Sequence, residues 1–147
     1  VIAEPRGLEH LSLFANVISA DFPDWMDNLL NPNNKDQGFD HSISIGGGAA
    51  LDYFLRANRE GLYFGMINLF FNNEVARGGQ SVSILSHNII PRAGYRWYPF
   101  KTTTFYLNPF AGFRYEYLIS EEVIVDGSAY DGASLQPFGT IHIGYHF

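Results

Sequence analysis

Across residues 41–55 the chain alternates with a period of two. Ile43, Ile45, Gly47, Ala49, Leu51, Tyr53 and Leu55 oppose Ser42, Ser44, Gly46, Gly48, Ala50, Asp52 and Phe54. Such a period sets the two series on opposite faces of one β-strand. The same reading predicts strands over 8–18, 61–73, 81–98, 104–119 and 135–147, six in all. In each, the odd positions form the apolar, outward series and the even positions the inner one. Over 8–18 this opposes Leu11, Leu13, Ala15 and Val17 to His10, Ser12, Phe14 and Asn16. The segment 61–73 is apolar on both sides, and only Asn68 and Asn72 mark its even series as inner. Short turns are expected at 56–60 and 99–103, and a hairpin turn at Arg77-Gly78-Gly79-Gln80 from its glycines. Longer acidic connections run over 19–40 and 120–134. Short turns thus alternate with long loops at the opposite end. Within the first long loop, residues 22–30 can form two helical turns, with Pro23 suited to the first.

Where charge and aromatics fall tells which solvent this pattern suits. The strand charges Asp52, Arg92, Arg96, Arg114 and Glu116 all occupy even positions. A soluble barrel would put them outside. A barrel in lipid would put them in its lumen, because a lipid-facing Arg or Lys at mid-depth costs ~2–4 kcal/mol. On the odd face, Tyr53, Tyr63, Trp97, Phe105, Tyr145 and Phe147 gather near the short turns, and Phe71, Tyr115 and Tyr117 near the long loops. Ile45, Ala49, Ile67, Ala93, Ala111 and Ile141 lie between them. Aromatics banded at two depths match the interfacial girdles of membrane barrels. The segments Pro91-Arg92-Ala93-Gly94-Tyr95-Arg96-Trp97 and Pro109-Phe110-Ala111-Gly112-Phe113-Arg114-Tyr115 echo one another, as if one environment were met twice.

The last strand carries a motif of its own. Pro137, Gly139, Ile141, Ile143, Tyr145 and Phe147 oppose Phe138, Thr140, His142, Gly144 and His146, ending in Phe on the apolar face. This resembles the closing strand of bacterial outer-membrane β-barrels, whose insertion signal is an alternating strand ending in Phe. With the strand pattern, turn asymmetry and girdle, nearly the whole chain resembles the small barrels of the OmpA/OmpX-like class. The resemblance implies one all-β domain over 1–147, an antiparallel up-and-down transmembrane β-barrel of the bacterial outer membrane. Six strands are read and eight are possible: either the loops hold two more, or another chain completes the sheet. It further implies a non-enzymatic structural or interaction protein, a subunit of an envelope complex among the options. Its expected partners are outer-membrane lipid and another envelope protein. A lipid-modifying outer-membrane enzyme and a soluble lipocalin-like ligand carrier are the alternatives.

Composition narrows this picture without redirecting it. At 147 residues the chain suits one domain, and the absence of cysteine excludes disulfides and thiolate metal sites. Mean hydropathy near zero is compatible with a membrane barrel, where only every second residue need be apolar. A net charge of −6 argues against nucleic acid. Starting at Val1 without a basic-then-apolar leader, the chain reads as mature or trimmed.

Candidate chemistry is sparse, and neither a catalytic residue, a metal nor a cofactor is expected. The lumen charges Asp52, Arg92, Arg96, Arg114 and Glu116 read chiefly as an ion-pair network filling a narrow barrel; the arginines could also hold an anionic headgroup or phosphate. His10, His142 and His146 point inward near the short-turn end and could approach a zinc ligand set, but read more simply as lumen polar groups. Ser44 or Ser86 beside His41 or His87 makes no recognisable triad. Residues 126–132 faintly suggest a calcium loop but lack the alternating ligands. Phe22, Trp25, Met26, Leu29 and Leu30 stand out in an Asp- and Asn-rich loop and are expected to contact a partner outside the barrel. Pro91, Pro109 and Pro137 each remove a ladder donor and belong at edges or bulges.

Overall fold

A computed structural model describes residues 2–3, 7–21, 32–100, 105–119, 123–132 and 135–145. Its strands are β1 (Ile2–Ala3), β2 (Leu11–Asp21), β3 (Asp40–Phe54), β4 (Gly61–Arg77), β5 (Gln80–Arg96), β6 (Phe105–Leu118), β7 (Val123–Val125), β8 (Ser128–Tyr130) and β9 (Leu135–Tyr145). The one helical turn among the described residues is a 3-10 turn at Pro32–Asn34, so no described helix is long and apolar enough to cross a membrane. The fold is all-β. One sheet has the order β1-β2-β3-β4-β5-β6-β9, every neighbouring pair antiparallel, and β7 with β8 forms a separate hairpin.

The alternation therefore finds its antiparallel strands, but the ladder is linear and the described strands do not close into a barrel. The sheet nonetheless curls: the rings of Phe14 on β2 and His142 on β9 stack at 5.6 Å, although no ladder joins these strands. The loop of residues 120–134 does hold two more strands, β7 and β8, turned by Asp126 and Gly127 at φ 48 and 70. They pair only with each other, so they do not complete the main sheet.

Two corrections concern which residues face inward. In register, Tyr53 lies opposite Phe64 and Asp52 opposite Gly65, so the odd face of β3 continues as the even face of β4. Phe64 then lies opposite Ala93, which restores the odd face as outward on β5. Tyr63, Ile67, Leu69 and Phe71 are consequently buried, while Leu62, Phe64, Met66, Asn68 and Phe70 are exposed. This reverses the expected faces of Tyr63, Ile67, Phe71, Phe64, Asn68 and Phe70. A shift of one residue flips a whole strand, and a run apolar on both sides leaves alternation no phase to read. The second correction is a β-bulge in β3. Its register to β4 steps from Ile43↔Asn73 to Ile45↔Asn72, so Ser44 is the extra residue. Ile43 turns inward at 5% exposure, while Ile45 stays outward at 59%.

The β4–β5 turn is as tight as its glycines suggest. Gly78 and Gly79 both have positive φ, 57 and 82, which a two-residue primed turn requires. These strands run to Arg77 and from Gln80, so the expected hairpin turn is a two-residue connection, at the end of the sheet that otherwise carries the long loops. The β7–β8 hairpin packs on this projection. Phe39, Val75, Ile84, Val123, Val125 and Tyr130 form one buried cluster there. Asn34 clasps Asp131 beside it, its Nδ2 donating to the Asp131 carbonyl at 2.6 Å and its Oδ1 accepting from the Asp131 amide at 3.0 Å. Pro91, Pro109 and Pro137 all sit on the outward face of strands. For Pro91, the β5–β6 register lapses between Ile89 and Arg92, so its missing N–H falls where the ladder is already interrupted.

Candidate functional site

The inner face carries the polar chemistry. One transverse row runs Asp52 on β3, Gly65 on β4, Arg92 on β5 and Gly112 on β6, each residue in register with the next. Asp52 and Arg92 are two strands apart and still meet, because Gly65 between them has no side chain. A Cβ there would press on the Asp52 carboxylate and on the Leu51 carbonyl. Arg92 donates from Nε to Oδ1 at 3.1 Å, and from Nη2 to Oδ1 at 2.9 Å and Oδ2 at 2.8 Å. Its guanidinium also lies 4.4 Å above the Phe110 ring. Both partners are buried, at 3% and 5% exposure, so the pair needs this bidentate geometry to offset desolvation.

Arg96, four residues further along β5 toward the short-turn end, is held between aromatic faces. Its guanidinium lies 4.5 Å from the Phe54 ring and 4.7 Å from that of Tyr106. These rings need space that only glycine leaves: Tyr63 covers Gly94 and Tyr106 covers Gly144, each so closely that a Cβ would collide with the phenol. Toward the other end, Arg114 meets Glu116 at 3.3 Å and donates to Gln136 at 2.8 Å. Asn88 reaches the same carboxylate at 3.4 Å, and Asn73 and Asn88 both donate to Ser86, at 2.9 and 3.2 Å.

Asp52, Arg92, Arg96, Arg114 and Glu116 thus all lie on the buried face, in two separate ion pairs with Arg96 in an aromatic slot. Ser12, Asn88 and Asn108, read from sequence on the even series, are buried beside them, as are Asn73, Ser86 and Gln136, which the sequence reading did not place there. Even parity could have flagged Ser86 and Gln136. Asn73 and Gly65 were hidden by the exchanged parity of β4.

The histidines do not assemble. The Nδ1–H of His10 donates to the Phe54 carbonyl at 2.7 Å and its ring stacks on outward Tyr53, so it does not point into the interior as expected. His142 is inside, stacked on Phe14 and edge-on to Phe110, and His146 lies outside the described residues. His87 is outward, stacked on Phe70 at 4.4 Å and sharing a 2.7 Å hydrogen bond with the Tyr117 hydroxyl. Its neighbour Ser86 points the other way, which rules out the two acting together. Among the described residues no three His, Asp or Glu side chains come together as a metal set. Asp126 and Gly127 form a hairpin turn rather than part of a calcium loop. Phe22, Trp25, Met26, Leu29 and Leu30 lie outside the described residues.

Two cavities follow one another along the interior. A polar one of about 600 Å³ sits near the short turns, against Asp52, Arg92, Arg96 and Asn108. An apolar one of about 370 Å³ sits further in, against Ile43, Ile67, Phe71, Ile90 and Phe110. Both fall within the ~300–1,000 Å³ of small-ligand sites. Comparison with protein-family models, curated proteins and solved structures gives no match.

Proposed function

We propose that the chain is a transmembrane β-barrel of the bacterial outer membrane, serving there as a structural or interaction protein of the envelope. One observation carries the reading: the polarity of the sheet is inverted. Over residues 11–18, 45–54, 62–72, 82–96, 105–118 and 135–145 no described outward position holds Asp, Glu, Lys or Arg, and exposed Asp21 lies at the loop end of β2. Val17, Phe64, Phe113 and Ile141 are all more than half exposed, while Asp52, Arg92, Arg96, Arg114 and Glu116 are buried. In water both halves of that arrangement are unfavourable, since apolar surface stays wet and charge is desolvated. In a bilayer the outward face is solvated by acyl chains. The outward run from Leu62 to Asn72 on β4 fits the ~9–11 residues of a membrane-crossing strand. Glu74 and Asp40 are exposed beyond it, where the strands end.

Girdle positions support the same reading. Tyr53, Trp97 and Tyr145 are exposed toward the short turns, and Tyr115 and Tyr117 toward the loops. Strand direction supports closure: leaving aside the two-residue β1, β2 and β9 run antiparallel to one another, and Phe14 and His142 stack across them at 5.6 Å. That leaves six strands, an even count although fewer than the eight of the smallest familiar bacterial barrels. The packed β7–β8 hairpin supports an interaction role, because it gives the loop end a fixed surface.

The test is solvation. The folded chain is expected to stay dispersed only with detergent or lipid, and to migrate on a gel differently before and after boiling. A chain that remains folded and monodisperse in plain buffer would overturn the proposal in favour of a soluble ligand carrier.

A further inference from the structure

The apolar cavity reaches the seam where β2 faces β9. On β3, β4 and β5 every described residue of its lining is apolar: Ile43, Ile67, Leu69, Phe71 and Ile90. The seam strands line it with Phe14, Asn16 and Ile18 of β2 and with residues 138–140 and His142 of β9. No ladder joins these two strands among the described residues, and the stack of Phe14 on His142 spans the seam instead. On the loop side of that stack the inner face is accessible. Ile18 is 37% exposed and Thr140 is exposed, although each lies in register with a buried residue, Gly46 and Phe110. Phe14 and Phe138 are only half-buried against the core. Asn16 and Thr140 are the middle residues of their strands, so the accessible stretch falls at the mid-depth of the outward apolar band. Walls of this kind suit hydrocarbon better than water, since a buried water needs ~2–4 polar partners. In a bilayer, the hydrocarbon at that depth is a lipid acyl chain.

We propose that this cavity binds one acyl chain, of a membrane lipid or of a free fatty acid, admitted from the bilayer between β2 and β9. At about 370 Å³ it lies at the low end of the ~300–1,000 Å³ of small-ligand sites, which suits one chain and not a whole lipid. A chain there covers Phe14, Ile18 and Phe138, inner apolar side chains that the sheet leaves partly bare. Arg114 borders the space but is turned to Glu116 and Gln136, so the site selects for the chain and not for a charged head. The route through the seam rests on the membrane reading; the apolar walls do not.

The experiment places the full chain in phosphatidylcholine vesicles holding a trace of one of two probes, each with a diazirine at mid-chain: palmitic acid or palmitoyl phosphatidylcholine. After irradiation the labelled residues are located by mass spectrometry. Outward Leu51 and Ile141 report the bilayer, and Leu69 and Phe71, across the space from the seam, report the cavity. Labelling of Leu69 and Phe71 supports the site. Labelling there by the phosphatidylcholine probe assigns a chain still attached to its lipid, and labelling by palmitic acid alone assigns the free acid. Thr140→Trp and, independently, Asn16→Trp should each fill the entrance and cut the labelling of Leu69 and Phe71 at least tenfold. Ala93→Trp, on the outward face, should leave it intact. Either entrance variant is informative if the other fails to fold. Labelling of Leu51 and Ile141 without Leu69 and Phe71 overturns the site and leaves the membrane reading standing. Labelling of Leu69 and Phe71 without Leu51 and Ile141 overturns the membrane reading and the lateral route with it. Inner labelling undiminished in a folded entrance variant overturns the proposal.

Discussion

At the scale of single residues, the interior is organised by where glycine leaves room for something larger. Gly65 lets Arg92 reach across a whole strand to Asp52, and Gly94 and Gly144 make space for the phenols of Tyr63 and Tyr106. The Asp52–Arg92 pair is the cleanest place to test what buried charge contributes. Removing one partner of such a pair leaves the other charged and unpaired, at a cost of ~3–5 kcal/mol, whereas exchanging both for apolar residues is often near neutral. Asp52→Leu alone should therefore lower the unfolding free energy by about 3–5 kcal/mol. Asp52→Leu combined with Arg92→Met should recover most of it, read by denaturant titration in detergent. If the double variant loses as much as the two single losses added, the pair is not the unit described.

At the scale of elements, β4 decides the sidedness of the sheet. Every strand but this one has its outward series on odd numbers through the middle of the band, and β4 alone has it on even numbers. Spin labels distinguish the two phases directly. Labels at 66 and 45 should be accessible to oxygen, and those at 67 and 43 shielded. The opposite result at 66 and 67 would restore the phase that simple alternation suggests. How far the sequence could show this differs by strand. On β6, Asn108, Arg114 and Glu116 fix the inner face unaided, because charge and carboxamide tolerate only one side. On β4 the marks were Asn68 and Asn72, and the interior instead took Tyr63, Ile67 and Phe71. An asparagine on the outer face weighs less than the register imposed by two neighbouring ladders.

At the scale of the whole molecule, an inverted sheet makes a prediction that depends on its solvent. Met66→Arg, at the middle of the outward band, should destabilise the chain folded in a bilayer by ~2–4 kcal/mol, the cost of a lipid-facing arginine at mid-depth. Glu74→Arg, beyond the band, should cost only about 0–1 kcal/mol. Equal effects at the two positions, measured by urea unfolding from liposomes, would mean that no hydrocarbon layer surrounds the sheet. The same inversion explains why the interior cavities are lined by both arginine and isoleucine, since neither type is sorted inward by water.

The sequence by itself determined six of the nine described strands, the tight Gly78–Gly79 hairpin and the burial of Asp52, Arg92, Arg96, Arg114 and Glu116. Each rests on a local rule: a period of two, a backbone conformation glycine alone adopts easily, or the cost of placing charge on an apolar face. Tertiary structure decided the phase of β4, the bulge at Ser44, the isolation of β7–β8 and the linear order of the sheet. Those follow from which residue meets which across a ladder. A pairing between residues distant in sequence leaves no mark on the periodicity of either strand.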